Sequence, residues 1–143
     1  MKRYSMIIRK NGLRVTPQRV LILKLIRESS LHPSAESLCV HARERYPGLS
    51  LNTVYRTLDL FEKKGLVKRF DFGENIYRYD GNTAPHAHFY CVECKRLQDM
   101  EGEHMNLIHR VGEQCSIKYG IKVIALELLI RGICMECMRG REG

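Results

Sequence analysis

The chain has 143 residues, 44% of them apolar, with 24 Lys and Arg against 16 Asp and Glu. This length and apolar content suit one domain or two small ones and exclude a disordered chain. No stretch approaches the 18 uncharged apolar residues of a membrane span, since Glu127 interrupts the longest candidate at 123–130. The first ten residues lack the apolar core and cleavage site of a signal peptide, so we expect a cytoplasmic protein.

The excess of positive charge is confined to the first half of the chain. Residues 1–80 carry 16 basic and 8 acidic side chains, a net charge of +8, whereas residues 81–143 carry 8 of each. A basic half joined to a neutral half is typical of a polyanion-binding module fused to a second module. The charge distribution therefore favours a nucleic-acid-binding module over a basic surface that has no such partner.

Three helices are predicted in the basic half, each beginning at a residue that can cap it. Thr16 precedes Pro17 at the start of the first helix, Ser34 precedes the second and Ser50 the third. Apolar residues of the third helix recur at steps of three and four, which marks one buried stripe formed by Leu51, Val54, Tyr55, Leu58 and Phe61. Gly65 is the expected end of that helix.

Beyond this glycine the apolar period changes from helical to alternating. The pattern predicts two short strands, at 66–70 and 76–79, joined by a turn at 73–75. Three helices followed by such a hairpin describe a winged helix-turn-helix, whose third helix enters the major groove. The polar face of that helix has residue types that read base edges, namely Asn52, Thr53, Arg56 and Thr57. Phosphate contacts are expected from Lys63, Lys64, Lys68 and Arg69.

Four of the six cysteines form two C-x2-C pairs with 39 residues between them: Cys91, Cys94, Cys134 and Cys137. Disulfides are rare in a reducing cytosol, and two residues between thiolates allow both to reach one ion from a tight turn. Two such turns complete the tetrahedral sulfur site that zinc prefers. We therefore predict a structural zinc site. Cys39 and Cys115 have no partner at this spacing and are expected to be small buried residues.

A second group of potential metal ligands surrounds the start of the neutral half. His86 and His88 alternate along a predicted strand and so lie on one face of it, with Asp80 and Asp99 nearby in sequence.

A helix is predicted over 104–119, followed by a largely buried strand over 121–130. We predict an α+β fold with a winged-helix DNA-binding domain at 1–80, a hinge at 81–86 and an α/β dimerisation and metal-binding domain at 87–143.

Taken together, the motifs resemble the ferric uptake regulator family over about residues 5–138. The motifs that carry the resemblance are Thr16-Pro17-Gln18-Arg19, His32-Pro33-Ser34-Ala35, Thr53-Val54-Tyr55-Arg56-Thr57-Leu58, His86-x-His88-x2-Cys91-x2-Cys94 and Gly132-Ile133-Cys134-x2-Cys137. The resemblance implies a homodimeric, metal-dependent transcriptional repressor that binds a palindromic operator. It adds Tyr55 and Arg19 to the residues expected to contact DNA.

The resemblance also implies a division of labour between two metal sites. The cysteine quartet would hold structural zinc, and a regulatory site would comprise His32, Asp80, His86, His88 and Asp99. A shell of nitrogen and oxygen donors without thiolate suits Fe(II) or Mn(II), with cellular availability selecting against tighter-binding metals. An ion that joins the DNA-binding half to the other half would bias the angle between the two reading helices of a dimer.

The motifs do not all indicate the same branch of the family. Aspartate at both 80 and 99 resembles the peroxide-sensing branch, in which oxidation of a ligand imidazole at His32 or His86 leads to loss of metal and release of DNA. Tyr55-Arg56 resembles the iron-uptake branch instead. The alternative is therefore an iron- or manganese-level regulator without peroxide sensing. The segment 121–130 lacks histidine, which argues against a third metal site.

Two other classes of protein compete with this interpretation. A metal-dependent hydrolase needs an open coordination position and a nearby general base, and a five-residue shell leaves little room for either. We therefore expect that the protein is not an enzyme. A zinc-binding interaction module without DNA contact would lack the steep salt dependence of a DNA-binding protein.

Overall fold

The computed structural model of the chain describes residues 1–73, 75 and 77–141, except for the side chain at position 104. It divides into two compact units, Met1–Thr83 and a second unit that begins at Ala84. Two residues of the predicted hairpin, Glu74 in the turn and Ile76 in the second strand, lie outside the described residues.

The first unit consists of four helices followed by a two-stranded antiparallel hairpin. Its elements are α1 Lys2–Lys10, α2 Pro17–Glu28, α3 Ala35–Arg43, α4 Leu51–Lys63, β1 Lys68–Asp71 and β2 Tyr77–Asp80. All three predicted caps are confirmed, because Thr16, Ser34 and Ser50 each accept a hydrogen bond from the backbone N–H three residues later. After α4 the chain turns at Gly65, whose φ of +68° lies in the left-handed region that favours glycine.

Helix α1 was not predicted from the sequence. It is anchored by Tyr4 and Ile8, one helical turn apart and both buried. The Tyr4 hydroxyl donates to Glu28 Oε1 at 3.0 Å and so ties α1 to the end of α2. The spacing of these apolar residues was the available signal, although it is weak in a segment so rich in charge.

The core of the first unit lies between the helices and is closed by Tyr79 of the hairpin. Val54, Leu58 and Phe61 of α4 are each 0% exposed, which confirms the central part of the predicted stripe. Thr57, placed on the polar face by the sequence, is instead buried. The reason is its position on the helix, three residues after Val54 and four before Phe61, which directs it towards the core.

Substitution of Phe61 by alanine is expected to lower the free energy of unfolding of the first unit by about 3–5 kcal/mol, because it leaves a cavity in a closed core. Chemical denaturation measures this change. The matched control is Val40→Ala on α3, where the side chain is 64% exposed and we expect a change within about 0.5 kcal/mol. Equal losses in the two variants would contradict the assignment of this core.

The second unit is a three-stranded sheet with two helices. Its elements are β3 Ala87–Cys91, β4 Leu97–Met100, α5 His104–Tyr119, β5 Leu129–Gly132 and α6 Met135–Arg141. Strand β3 is central, antiparallel to β4 and parallel to β5. The predicted helix at 104–119 is confirmed, whereas α6 was not predicted.

The predicted buried strand over 121–130 is wrong for most of its length. Only its last residues belong to β5, and residues 121–128 have no regular secondary structure. Ile121 is 50% exposed and Ile124 is 92% exposed. The apolar composition was interpreted as burial within one chain, but the described part of a single chain does not cover these side chains.

Candidate metal centres and nucleic-acid interface

The cysteine quartet is brought together at one end of the sheet in the second unit. Cys91 is the last residue of β3 and lies opposite Gly132 of the parallel strand β5, so the turn after each strand delivers one C-x2-C pair to the same place. The Cys91 and Cys137 sulfur atoms are 3.9 Å apart, and those of Cys94 and Cys134 are 3.8 Å apart. All four sulfurs lie within 4.8 Å of one another.

Backbone and side-chain contacts shift the pKa values of two of these thiols in opposite directions, and only the shift at Cys91 favours the thiolate that binds a cation. The Cys134 N–H donates to Cys91 Sγ at 3.4 Å, and this hydrogen bond is the main cause that lowers the Cys91 pKa to about 6. A side-chain hydrogen bond with Cys134 raises the pKa of the Cys137 thiol to about 12. Four sulfur donors at these separations match the requirements of tetrahedral zinc.

Two ion pairs connect the segment between β3 and β4, which contains Cys94, to α6, which contains Cys137. Arg96 Nη2 lies 2.9 Å from Glu136 Oε2, and the Arg141 guanidinium pairs with the Glu93 carboxylate. The hydrogen bond from Arg96 lowers the pKa of Glu136. Exposed ion pairs stabilise a fold only weakly, so these contacts orient α6 more than they hold it.

The second unit also brings three nitrogen and oxygen donors together. His88 lies opposite Asp99 in the antiparallel register of β3 and β4, and His86 immediately precedes β3 with its ring centroid 4.3 Å from that of His88. Both imidazole Nε2 atoms lie 3.1 Å from Asp99 Oδ1. The His86 Nδ1 atom is 2.7 Å from the Ala84 carbonyl, a contact that orients the ring so that Nε2 faces the carboxylate.

The first unit brings together a further imidazole and carboxylate. His32 Nε2 lies 3.6 Å from Asp80 Oδ2, and both residues are buried. His32 has a φ of +50°, a conformation that costs energy for a residue with a β-carbon. Two contacts with β2 hold this segment in place, since the Tyr79 N–H donates to the Pro33 carbonyl and Arg78 donates to the His32 carbonyl.

Close packing of the chain after β2 fixes the position of Asp80. Its Oδ1 accepts a hydrogen bond from the Asn82 N–H at 2.8 Å, so Oδ2 is the oxygen on the His32 side. A β-carbon at Gly81 would lie 2.6 Å from Arg27 Cγ and 2.9 Å from Arg27 Cα. Only glycine lets this segment lie so near α2. Sequence reasoning missed this role of Gly81.

The predicted DNA-contacting side chains are distributed unequally over α4 and its neighbours. Asn52, Thr53 and Arg56 are exposed on one face of α4, whereas Tyr55 is half-buried at the edge of that face. Thr53 Oγ1 lies 2.8 Å from Ser50 Oγ. Arg19 at the start of α2 is half-buried. Its Nη1 donates a hydrogen bond to the Arg14 carbonyl at 2.8 Å, so one of its N–H donors is already bonded to the preceding loop.

Within the described residues, none of the helices has both the length and the apolar character needed to cross a bilayer. The fold and its donor clusters define a two-part α+β protein with a winged-helix unit and candidate metal centres of two chemical kinds.

Comparison with known proteins places the chain in a family. A model of the ferric uptake regulator family matches residues 10–131. Over 130 residues the chain is 32% identical to the peroxide-responsive repressor PerR of Staphylococcus aureus, an alignment that covers 91% of this chain and 86% of that protein. The chain belongs to the ferric uptake regulator family. It is therefore a metal-dependent, DNA-binding regulator of transcription from a family of dimeric regulators.

Solved structures of iron regulators share the fold. The Helicobacter pylori ferric uptake regulator, described as having three functional metal binding sites, matches with a TM-score of 0.79 and 25% identity over 96% of this chain and 90% of that chain. The Pseudomonas aeruginosa regulator with manganese matches with a TM-score of 0.74 and 27% identity over 91% of this chain and 96% of that chain. These matches confirm the predicted α+β fold class. The predicted cofactors agree with the two donor clusters and with relatives whose structures contain zinc, iron or manganese.

Proposed function

We propose that the protein is a peroxide-responsive repressor that binds a palindromic operator as a homodimer in the cytoplasm. The observation that carries this proposal is the pairing of imidazoles with aspartates alone, seen in His86 and His88 around Asp99 and in His32 beside Asp80. The similarity to a peroxide-responsive repressor supports the same choice. Residues 1–80 would bind DNA, residues 81–86 would act as the hinge, and residues 87–143 would dimerise.

The two groups of donor atoms suit different metals. Zinc is assigned to the quartet of Cys91, Cys94, Cys134 and Cys137, because four thiolates suit zinc. Iron or manganese is assigned to the nitrogen and oxygen donors, with one ion held by all five residues: His32, Asp80, His86, His88 and Asp99. Since these ligands come from both units, binding would set the angle at which a dimer presents its two reading helices.

The proposed DNA interface is the exposed face of α4. Asn52 and Arg56 have the side chains that hydrogen-bond adenine and guanine edges, and Thr53, Tyr55 and Arg19 would add further contacts. The proposed dimer interface lies on the second unit, where α5 and the following segment expose large apolar side chains: Leu107, Val111, Ile117, Tyr119, Ile121, Ile124 and Ile130. An apolar area of this kind on a soluble unit is typical of a self-association surface.

When bound, iron(II) would activate peroxide next to these imidazoles: the O–O bond would break, one oxygen atom would oxidise a ring carbon by two electrons, and the other would leave as water. The chain supplies the target of oxidation, because His32 and His86 hold their rings in fixed orientations through their contacts with Asp80 and Asp99. An imidazole that gains an oxygen atom becomes a poor ligand. Loss of one ligand would weaken metal binding, and the dimer would release its operator.

Peptide mass spectrometry after brief peroxide treatment of the iron(II)-loaded protein tests this proposal. We expect one added oxygen on the peptide that contains His32 or on the one that contains His86, with the manganese(II)-loaded protein as the unoxidised control. Unmodified histidines in the iron-loaded sample would contradict peroxide sensing. They would favour the second candidate, an iron- or manganese-level regulator, which the Tyr55-Arg56 pair and the iron regulators among the structural matches support.

A further inference from the structure

A short hydrogen bond connects the reading helix to the helix before it. The Tyr55 hydroxyl on α4 donates to Glu36 Oε1 on α3 at 2.5 Å. Glu36 lies in the first turn of α3, where the helix dipole favours a carboxylate. The same hydrogen bond is the main cause that lowers the pKa of Glu36 and raises the pKa of Tyr55 to about 12. At neutral pH the carboxylate is therefore ionised and accepts the hydrogen bond, while the proton stays on the phenol.

This contact changes what the tyrosine can offer to DNA. A phenol has a single O–H donor and acceptor lone pairs. Because the donor of Tyr55 is committed to Glu36, the remaining capacity of its oxygen is to accept. In the major groove, adenine N6 and cytosine N4 carry amino donors, whereas guanine O6 and N7 and thymine O4 are acceptors. A phenol oxygen that can only accept forms a hydrogen bond with the amino groups of adenine and cytosine. It is repelled by the acceptor atoms of guanine and thymine.

We propose that Glu36 is a specificity-determining residue, which makes Tyr55 select an adenine or cytosine amino group in the operator. The inference rests on the proposed function, in which the exposed face of α4 contacts DNA. Glu36 acts through Tyr55 and is a positioning residue. Without its carboxylate, the phenol could rotate its O–H towards guanine or thymine, and the preference at the contacted base would relax.

Selection of binding sites from random-sequence duplexes tests the proposal on the full-length, metal-loaded protein. We expect the unaltered protein to prefer adenine or cytosine about tenfold at one position of each half-site, and Tyr55→Phe to lose that preference. Glu36→Ala should reduce it to about twofold, with guanine and thymine now accepted. Glu36→Gln should retain the base preference, because the amide oxygen still accepts a hydrogen bond from the phenol O–H. Glu44→Ala, which removes an exposed carboxylate near the end of α3, is the control for charge and should change nothing.

Absorbance titration of tyrosine, taken as the difference from Tyr55→Phe because Tyr79 also has a pKa raised to about 12, provides an independent measurement of the hydrogen bond. In Glu36→Ala the high pKa of Tyr55 should fall towards the ordinary value near 10, and in Glu44→Ala it should not. The proposal is overturned if Glu36→Ala keeps the base preference that Tyr55→Phe loses, or if the Tyr55 pKa is the same with and without Glu36. It is equally overturned if Tyr55→Phe alters no position. Failure of the unaltered protein to select any sequence would instead reject the proposed function itself.

Discussion

Replacing Cys94 with serine is expected to abolish zinc binding and unfold the second unit. Three thiolates and a hydroxyl bind zinc far more weakly than four thiolates, because the serine hydroxyl stays protonated. In zinc-finger peptides the structural ion contributes about 10–16 kcal/mol of apparent folding free energy. The second unit has a small sheet and much exposed apolar surface, so we expect it to depend on the ion in the same way.

Elemental analysis and chemical denaturation measure the two parts of this prediction. Zinc should fall from one ion per chain to none, and the unfolding transition of the second unit should disappear while that of the first unit persists. Cys115→Ser on α5 is the matched control, since the quartet does not include this cysteine. A Cys94→Ser protein that keeps a full complement of zinc would show that the quartet is not the zinc site.

Replacing His88 with alanine is expected to remove the response of DNA affinity to manganese(II). His88 shares the Asp99 carboxylate oxygen with His86, and it lies on the central strand of the sheet, where the backbone holds it rigidly. An effector such as manganese(II) that acts through a conformational equilibrium typically changes DNA affinity by about 5–150-fold. In His88→Ala the ratio of affinities with and without manganese should fall to about one. Fluorescence anisotropy of a labelled operator, with and without manganese, measures the change.

The control for this variant is His41→Ala. His41 is exposed on α3, and its Nδ1 atom lies 2.8 Å from the Ser37 carbonyl, away from any proposed ligand role. Its manganese response should equal that of the unaltered protein, and zinc content should be normal in both variants. A full manganese response in His88→Ala would exclude this imidazole from the regulatory site, whatever the outcome at the cysteine quartet.

Features determined by neighbours in sequence were predictable. Thr16, Ser34 and Ser50 cap their helices because a hydroxyl can reach the N–H three residues away, whatever surrounds the helix. The stripe of α4 follows from helical periodicity alone. The C-x2-C spacing places two sulfurs of a pair together by the geometry of one turn. The spacing of two residues between His86 and His88 predicted that their rings lie together, although β3 itself begins only at Ala87.

Features that depend on contacts between distant segments were not predictable from local pattern. His32 and Asp80 meet because β2 bonds to the segment before α3, and in the sequence the histidine resembled an ordinary residue before a helix. Thr57 has a polar side chain, yet its position on α4 buries it. The apolar run at 121–128 was expected to be covered, but one chain does not cover it in the part that the structure describes.

The sequence by itself therefore determined where the three capped helices of the first unit begin and which donor atoms the protein carries. Its cysteine pairs and histidine alternation also determined the chemistry of the metals that can bind. The tertiary structure alone decided which carboxylate faces which imidazole, and that the phenol of Tyr55 donates to Glu36. The physical reason is range, because caps and periodicity act within a few residues, whereas these pairs form only after strands and helices distant in sequence have packed.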